Sequence, residues 1–275
     1  MNLVELIAGV HRIRVDLKHP IDISIPLVFD GDQPNFFGAP HASKSSLQAG
    51  EFIGDTTRGG SCNVDEYKLV PHCNGTHTEC IGHIVHDNVF VPEVMTTSFL
   101  PATLITVAPM TFARTKESSL PNPEPTNRMV TAFAINQALQ EFPDESMYRA
   151  LIIRTLPNSE KKPIAEYHAD DPPPFLSMEA ANRLVELDVE HLLVDIPSID
   201  RMNDDGRLTA HHIFWELPPY ARDRASATRG HCTITEMIYV PDFVPDGYYL
   251  LNLQLPPFMA DAAPSRPILY QAQSI

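Results

Sequence analysis

Proline is the residue that most limits what this chain can fold into. The sequence has 26 prolines among its 275 residues, about twice the usual proportion. Proline breaks the interior of a helix and is tolerated mainly in turns and at strand edges, so the chain is not expected to form a bundle of long helices. Hydrophobic residues form 43% of the chain, which is close to the share found in ordinary globular domains and enough for a core.

The charge balance argues against two classes of partner. The chain has 20 Lys and Arg against 35 Asp and Glu, which gives a net charge of −15. Nucleic acids and the inner leaflets of membranes are themselves anionic and attract clustered cations. We therefore expect neither nucleic acid nor membrane as a partner, and a small molecule as the substrate.

The sequence also carries an expectation about location. The apolar run near the N-terminus is broken by Glu5 and lacks the cationic start and cleavage site of a secretory signal. No stretch approaches the roughly 18 apolar residues that cross a bilayer. A core of this size does not need disulfides, so the four cysteines (Cys62, Cys73, Cys80 and Cys232) are expected to be reduced thiols in a cytoplasmic protein.

Hydrophobic periodicity predicts mostly strands. Alternating or β-branched apolar runs occur at 11–18, 21–28, 100–108, 149–155, 191–200, 233–240 and 248–255. One helix is predicted over 177–189, with Ser177 as its N-cap, and residues 114–128 are interpreted as a loop within the domain. One helix among several strands predicts a mixed α/β fold, in a single domain over residues 1–275.

Residues 72–86 are the densest reactive segment, with four histidines, two cysteines and one glutamate in fifteen positions. Glycines and β-branched threonines in it disfavour a helix. In an extended chain alternate residues share a face, which would bring together Cys73, His77 and Glu79. Thiolate, imidazole and carboxylate on one face predict a transition-metal site. His83 lies four residues further on and could act in the same cavity as a base.

A second group of candidates lies far downstream. His211 and His212 are adjacent, and Glu236 stands in a predicted strand between apolar residues. A buried carboxylate needs a cation, which can be either a metal ion or an arginine partner. His231 and Cys232 are further potential ligands close to this strand.

Several segments resemble one family. GTHTE, within CNGTHTECIGH at 73–83, resembles the HxGTHxDxPxH signature of the cyclase family, which includes bacterial kynurenine formamidases and isatin hydrolase. Four other segments resemble family segments in the same order: HPIDISIPLVFDGD at 19–32, LIIRT at 151–155, LLVDIPSID at 192–200 and AHHIFW at 210–215. The resemblance extends from about residue 11 to about residue 270.

The resemblance implies a fold, a cofactor and a set of site residues. The fold is α/β of the swivelling β/β/α type, with a central β-barrel-like sheet layer and flanking helices, in a dimer or tetramer. The cofactor is one or two divalent metals, zinc or manganese. The implied ligands are Cys73, His77, Glu79, His211 and Glu236, with His83 as proton donor and acceptor and Phe29 as the substrate-stacking residue.

Three positions depart from the family pattern. Cys73 stands in place of a histidine, Glu79 in place of an aspartate and Ile81 in place of a proline. A thiolate ligand favours zinc over manganese. His72 becomes the alternative to Cys73 if the loop bulges, and His212 is the alternative to His211 if the alignment slips by one.

The implied activity is hydrolysis of a small amide or cyclic amide by metal-activated water, most like an arylformamidase acting on N-formylkynurenine in tryptophan catabolism. Three alternatives remain open. The first is a family member that has lost catalysis and binds a metal or ligand. The second is a lyase or ring-closing enzyme that uses the same cavity, and the third is a cysteine nucleophile at position 73 or 80.

Overall fold

The computed structural model describes residues 3–8 and 11–274. Its strands are β1 Leu3–Ala8, β2 His11–Asp16, β3 Ile21–Asp22, β4 Ser43–Ser46, β5 Gln48–Ala49, β6 Phe52–Ile53, β7 Asp65–Lys68, β8 His77–Glu79, β9 Phe99–Val107, β10 Met110–Thr111, β11 Arg128–Val130, β12 Ala150–Thr155, β13 Phe175–Leu176, β14 His191–Val194, β15 Thr233–Glu236, β16 Gly247–Gln254, β17 Ala262–Pro264 and β18 Arg266–Ser274. Its helices are α1 Pro71–Asn74, α2 Val91–Val94, α3 Ala132–Leu139, α4 Met178–Glu186 and α5 Thr209–Phe214. Single 3₁₀ turns lie at Thr56–Arg58, Ile81–His83, Phe112–Arg114, Glu145–Met147, Lys162–Ile164 and Arg224–Ser226.

One large mixed sheet organises the described residues. Its strand order is β1-β2-β18-β16-β9-β12-β14-β15-β8-β17, and β3 pairs beside β18. The strands β9, β12, β14 and β15 run parallel, whereas β16 and β8 flank them in the antiparallel direction. This arrangement, with few helices, confirms the predicted mixed α/β fold. In the part of the chain that the structure describes, none of the helices is long and apolar enough to cross a membrane.

The central strands are buried on both faces of the sheet. Every residue of β12 is buried, as expected for a parallel strand covered on each side. Leu151 and Ile153 pack into one apolar cluster with residues of α3, α4 and α5, whereas Ala150 and Ile152 pack into a second cluster with β16. Successive side chains of a strand point to opposite faces, so this alternation divides the core into two layers.

The sequence predictions are confirmed for most elements and wrong at some of their ends. The run 100–108 corresponds to β9, and Ser177 caps α4 by accepting a hydrogen bond from the backbone N–H of Ala180 at 2.9 Å. The run 191–200 is a strand only to Val194, because the backbone then turns through 195–200. The run 21–28 is a strand only over Ile21–Asp22, in keeping with its two prolines.

The edge of the parallel region brings two distant parts of the chain together. β8 pairs antiparallel with the last parallel strand, β15, and the register places His77 opposite Glu236. Glu79 lies opposite Ile234 in the same pairing, and Ala262 of β17 lies on its other side. Residues directly opposite in an antiparallel pair share a face, so His77, Glu79 and Glu236 project to the same side of the sheet.

His191, the first residue of β14, leads to a prediction about pH that does not involve the β15–β8 pairing. It is 4% exposed, and its Nδ1 lies 2.8 Å from the Thr233 hydroxyl. Burial lowers the pKa of His191 from 6.5 to about 4. The unfolded chain therefore binds a proton between these values that the folded chain does not, and stability falls as the pH drops through that window.

Because of His191, we expect the unfolding free energy to be about 2 kcal/mol lower at pH 5 than at pH 8. Urea unfolding at both pH values should show this loss in the wild type and a correspondingly smaller loss in His191→Asn. His168→Asn, in which the replaced side chain is 65% exposed, is the control and should behave like the wild type. An equal pH dependence in wild type and His191→Asn would contradict the prediction.

Candidate metal centre

His77 and Glu79, on the buried face of β8, lie at the centre of the candidate site. Both side chains are fully buried, and they share one face of β8 because they are two residues apart. Thr78 points to the opposite face, where its hydroxyl lies 2.8 Å from the Thr235 hydroxyl and donates to Ser265. The hydroxyl contacts behind the strand hold β8 in place, so the two site residues are fixed by the sheet itself.

Glu236, on β15, lies beside His77. One of its carboxylate oxygens lies 3.5 Å from Nε2 of His77, and the other accepts a hydrogen bond from the backbone N–H of Ile199 at 2.8 Å. Glu236 is 3% exposed. The Ile199 amide thus orients a carboxylate that the strand pairing has already placed beside a buried imidazole.

His211 comes from α5 and points at Glu79. Its Nε2 lies 2.9 Å from a Glu79 oxygen and 4.0 Å from Glu236, and its Nδ1 lies 2.6 Å from Asp200. Asp200 also accepts backbone hydrogen bonds from Ala210 and His211 at the start of α5. One carboxylate therefore fixes both the helix and the orientation of the imidazole ring.

Trp215 packs behind His211. It is the one tryptophan in the sequence and is fully buried. The centre of its ring lies 5.4 Å from that of His211, and its indole N–H donates to the Cys232 carbonyl at 3.0 Å. The indole therefore limits the movement of the His211 ring.

His72, rather than Cys73, points its side chain at Glu79. The extended conformation expected for this segment is wrong at its start, because Pro71–Asn74 forms one helical turn with proline at its first position. The turn places Nδ1 of His72 2.9 Å from the second Glu79 oxygen, in an ion-pair contact without hydrogen-bond geometry. Cys73 is also buried, but it belongs to none of the ligand groups recognised among the described residues.

His83 and Asp261 lie at the open side of the cluster. The side chain of His83 is 29% exposed and that of Asp261 is 40% exposed. Nδ1 of His83 lies 3.5 Å from the Asp261 carboxylate, which also lies 2.9 Å from Nε2 of His72, and the two imidazoles stack at 4.2 Å. Gly82 allows this turn, since a Cβ there would lie 2.3 Å from the Val89 carbonyl oxygen.

The protonation preferences of these groups follow from the clustering of opposite charges. Burial alone would lower the pKa of His72, but Asp261 and Glu79 raise it to about 10. Burial opposes ionisation of Glu79 as well, yet the neighbouring His83 and His211 lower its pKa. Burial and the Glu236 carboxylate raise the pKa of the Cys73 thiol. The shifts of His72 and Glu79 therefore both follow from the close pairing of imidazoles with carboxylates.

The donor atoms fit a divalent metal ion. Nδ1 of His77 donates to the Gly75 carbonyl at 2.9 Å, which leaves the Nε2 lone pair buried with no hydrogen-bond partner in the part of the chain that the structure describes. Such an arrangement is typical of metal-binding histidines, in which the second nitrogen is held by a carbonyl or carboxylate. Three groups have ligand atoms within 4.8 Å of one another: His72, His77 and Glu79; Glu79, His83 and His211; and His72, His83 and Asp261.

The remaining sequence candidates make other contacts. The Phe29 ring packs against Tyr67 at 4.7 Å. His212 turns away from Glu79, and its Nδ1 donates to the Leu217 carbonyl at 3.2 Å. His211 is thus the histidine of the pair that faces the cluster. Cys232 is buried in the apolar core beside the α5 layer.

Sequence reasoning missed two carboxylates of the site. Asp200 had a signal, because it ends the DIPSID segment that resembles the family pattern. Asp261 had none, because it follows a proline-rich stretch and reaches His72 and His83 only through the pairing of β17 with β8.

Asp200 provides a sharp test of the metal site. We expect Asp200→Asn to weaken metal binding about 10- to 100-fold, because the partner of a ligating imidazole is lost. Competition with a chelating dye measures the affinity. Asp204→Asn is the matched control, since Asp204 is similarly buried in the same loop and, among the described residues, its side chain accepts hydrogen bonds only from the backbone of Gly206 and Leu208. Equal affinities for the two variants would rule out the role given to Asp200.

Comparisons with known proteins agree on the fold. Three similar solved structures cover most of this chain at low sequence identity. A "potential metal-dependent hydrolase with cyclase activity" has a TM-score of 0.57 and 16% identity over 92% of this chain and 98% of its own. Isatin hydrolase A from Labrenzia aggregata, bound to benzyl benzoate, has a TM-score of 0.59 and 14% identity over 93% and 94%. Isatin hydrolase A from Ralstonia solanacearum has a TM-score of 0.54 and 13% identity over 92% and 91%.

No curated protein matches the chain. The sequence model of the Cyclase family, described as "Putative cyclase", matches residues 15–201. This range includes most of the cluster, from His72 to Asp200, and more than half of the chain. The chain therefore belongs to the Cyclase family.

Proposed function

We propose that this protein is a metal-dependent hydrolase of a small amide or cyclic amide, with aryl formamides as the leading substrate class. The observation that carries the proposal is the enclosure of the buried Glu79 carboxylate by His72 and His211, with His83 at the open side of the same cluster. A buried group of this composition is suited to hold a divalent cation, and a partly exposed imidazole beside it is suited to proton transfer.

The relatives support the same reaction class. Isatin hydrolases, by their name, hydrolyse isatin, which is a cyclic amide, and they share the fold of this chain. A further relative is described as a potential metal-dependent hydrolase with cyclase activity. Hydrolysis of an open-chain formamide and of a cyclic amide both require an activated water and a proton for the leaving nitrogen.

The residues that would hold the ion are His72, His77, Glu79, His211 and Glu236, with Cys73 as the further ligand predicted from the sequence. All of them are buried except His72, whose side chain is 24% exposed. Imidazole and carboxylate ligands suit zinc and also manganese, and a thiolate would favour zinc. The chemistry supplied by the bound ion is activation of water and polarisation of the substrate carbonyl.

His83 performs the proton transfer in this proposal. Its side chain is 29% exposed, slightly more than the 24% of His72, so a substrate can reach it at the open side of the cluster. The Asp261 carboxylate, 3.5 Å from Nδ1, orients the ring. Nε2 can then give a proton to the departing nitrogen, a step that typically contributes 10²- to 10⁴-fold to the rate.

Phe29 keeps its proposed place as an aromatic contact for the substrate. Its ring is half-buried and already packs on Tyr67, which is 59% exposed. An aryl substrate could extend this pair of rings.

We expect His83→Ala to keep its metal content and lose about 10²- to 10⁴-fold in turnover. Elemental analysis and steady-state hydrolysis of the same preparation measure the two properties. His86→Ala is the matched control, because His86 is exposed and lies three residues further along the chain. A fully active His83→Ala enzyme would contradict the role of His83.

Two single substitutions, compared with each other, distinguish His72 from Cys73 as the ligand contributed by α1. We expect His72→Gln to lower metal affinity more than Cys73→Ser does, because His72 contacts Glu79 while the thiol of Cys73 resists ionisation. Chelator competition measures both affinities, and circular dichroism confirms that each variant is folded. A larger loss in Cys73→Ser would restore the thiolate as the principal ligand.

The function as a whole is tested by assaying N-formylkynurenine and isatin hydrolysis by purified protein, with and without a chelator. Stoichiometric metal and hydrolysis that the chelator abolishes, and added zinc or manganese restores, would support the proposal. Metal-loaded protein that hydrolyses neither class would favour the second candidate, a family member that binds a ligand without catalysis. Hydrolysis that survives complete metal removal would contradict the proposal and favour a cysteine nucleophile.

A further inference from the structure

The large sheet has two end strands, and their outer edges differ in how well they are protected. At one end, β17 is three residues long and includes Pro264, which has no backbone N–H to offer a further strand. Helix α1 also lies beside β17, since Nε2 of His72 is 2.9 Å from Asp261, the residue before the strand. Short strands, prolines and covering elements all oppose the pairing of a sheet edge with another chain. The β17 end of the sheet is therefore closed to extension.

At the other end of the sheet, β1 has none of these protections. It spans six residues, Leu3–Ala8, without a proline or a lysine, and Glu5 is its one charged residue. Among the described residues, its backbone pairs with β2 alone. In an antiparallel pair, alternate residues turn their backbone N–H and C=O groups away from the neighbouring strand. The outer edge of β1 thus presents a row of donors and acceptors that matches the edge of another extended strand.

The side chains beside β1 form a small apolar cluster that is incomplete. Its buried members are Ile13 and Met147, and its partly covered members are Leu6, Tyr248 and Ala272. Leu6 projects from β1 itself, so the cluster reaches the end of the sheet. A strand added next to β1 would cover this open side of the cluster, and the burial of apolar surface would favour the association.

The difference between the two edges indicates which strand pairs with β1. Pairing of β1 with β17 of another copy would continue from copy to copy into a filament, and the protected β17 edge opposes it. Pairing of β1 with β1 of a second copy places the two strands around a two-fold axis. That arrangement satisfies both open edges and ends with two copies.

The charge of Glu5 selects the register of such a pair. With the axis at Glu5, two carboxylates would lie directly opposite each other, which is unfavourable. With the axis at Leu6, the two leucines face each other on the side of the apolar cluster, and each Glu5 faces the partner's Ile7. A nitrogen of Arg14 lies 2.8 Å from the Glu5 carboxylate within each copy. Arg12 lies opposite Ile7 on β2, so each Glu5 would stand between the arginines of the two hairpins.

We propose that this protein forms a two-fold symmetric dimer in which β1 pairs antiparallel with β1 of a second copy, with Leu6 on the axis. One continuous sheet then runs through both subunits. The backbone edges, the two joined apolar clusters and the alternating charges of Glu5, Arg12 and Arg14 hold the subunits together. The interface lies at the end of the sheet away from the metal centre, which is built on β8 and β15.

Charge substitution at position 7 tests the interface and its register together. Sedimentation of the purified protein should show a dimer at micromolar concentration. Ile7→Glu places a carboxylate opposite the partner's Glu5 and should raise the dissociation constant about tenfold or more. Ile7→Lys, the matched control, places an ammonium group there and should keep the dimer. A monomeric wild type, or equal dissociation constants for the two variants, would overturn the proposal.

Both variants are expected to fold. The side chain of Ile7 is 76% exposed in its own subunit, so a charged group at this position stays in water when the subunits separate. Circular dichroism checks the fold of each variant.

A disulfide locates the two-fold axis. Residues directly opposite in an antiparallel pair have Cβ atoms about 4.5–5.5 Å apart, whereas diagonal neighbours are about 7–8 Å apart. Cys62→Ser removes the one exposed cysteine among the described residues. In that background, Leu6→Cys should form a covalent dimer under mild oxidation, and Glu5→Cys should not. Cross-linking of Glu5→Cys, or of neither variant, would overturn the proposal. None of these readouts uses hydrolysis, so they do not depend on the proposed activity.

Discussion

The burial of the Glu79 carboxylate is the constraint on which the site depends. A charged group removed from water is costly unless opposite charges and hydrogen bonds surround it. Glu79 is fully buried, with His211 2.9 Å from one oxygen and His72 2.9 Å from the other. These two histidines come from α5 and α1, which lie more than 130 residues apart, so the charge on one strand residue fixes how distant segments pack.

The same logic extends outward from Glu79. His211 is oriented by Asp200, which also anchors the start of α5, and His72 is oriented by Asp261. Carboxylates and imidazoles therefore alternate from the buried strand to the open side of the cluster. Such alternation satisfies each buried group through its neighbours, and it also means that replacing one member leaves the next one unpaired.

The sequence predicted most of the sheet because its strands carry local signals. The β-branched run at 100–108 became β9, and the serine cap at Ser177 marked the start of α4. The helix α3 was missed because Ala132–Leu139 is apolar on most sides and has no clear polar face. The single turn Pro71–Asn74 is too short for hydrophobic periodicity to reveal, so the sequence alone predicts His72 only as an alternative ligand.

The long-range part of the site was predictable only through the family resemblance. No local pattern connects Glu79 with His211, and only the resemblance places both in one site. It did not supply Asp261, and it favoured Cys73 because the family has a histidine at that position. In the structure, the helical turn at 71–74 brings His72 into contact with Glu79. The thiol of the next residue, Cys73, lies in a buried environment that opposes its ionisation.

The position of Trp215 has a practical consequence. This indole is the one tryptophan of the chain, is shielded from solvent and lies in ring contact with His211. Its ultraviolet emission therefore arises from a single, well-defined chromophore next to the imidazole that joins α5 to the cluster. The unlabelled protein thus contains its own optical reporter, in which changes at His211 are read as changes in intensity or wavelength without any attached dye.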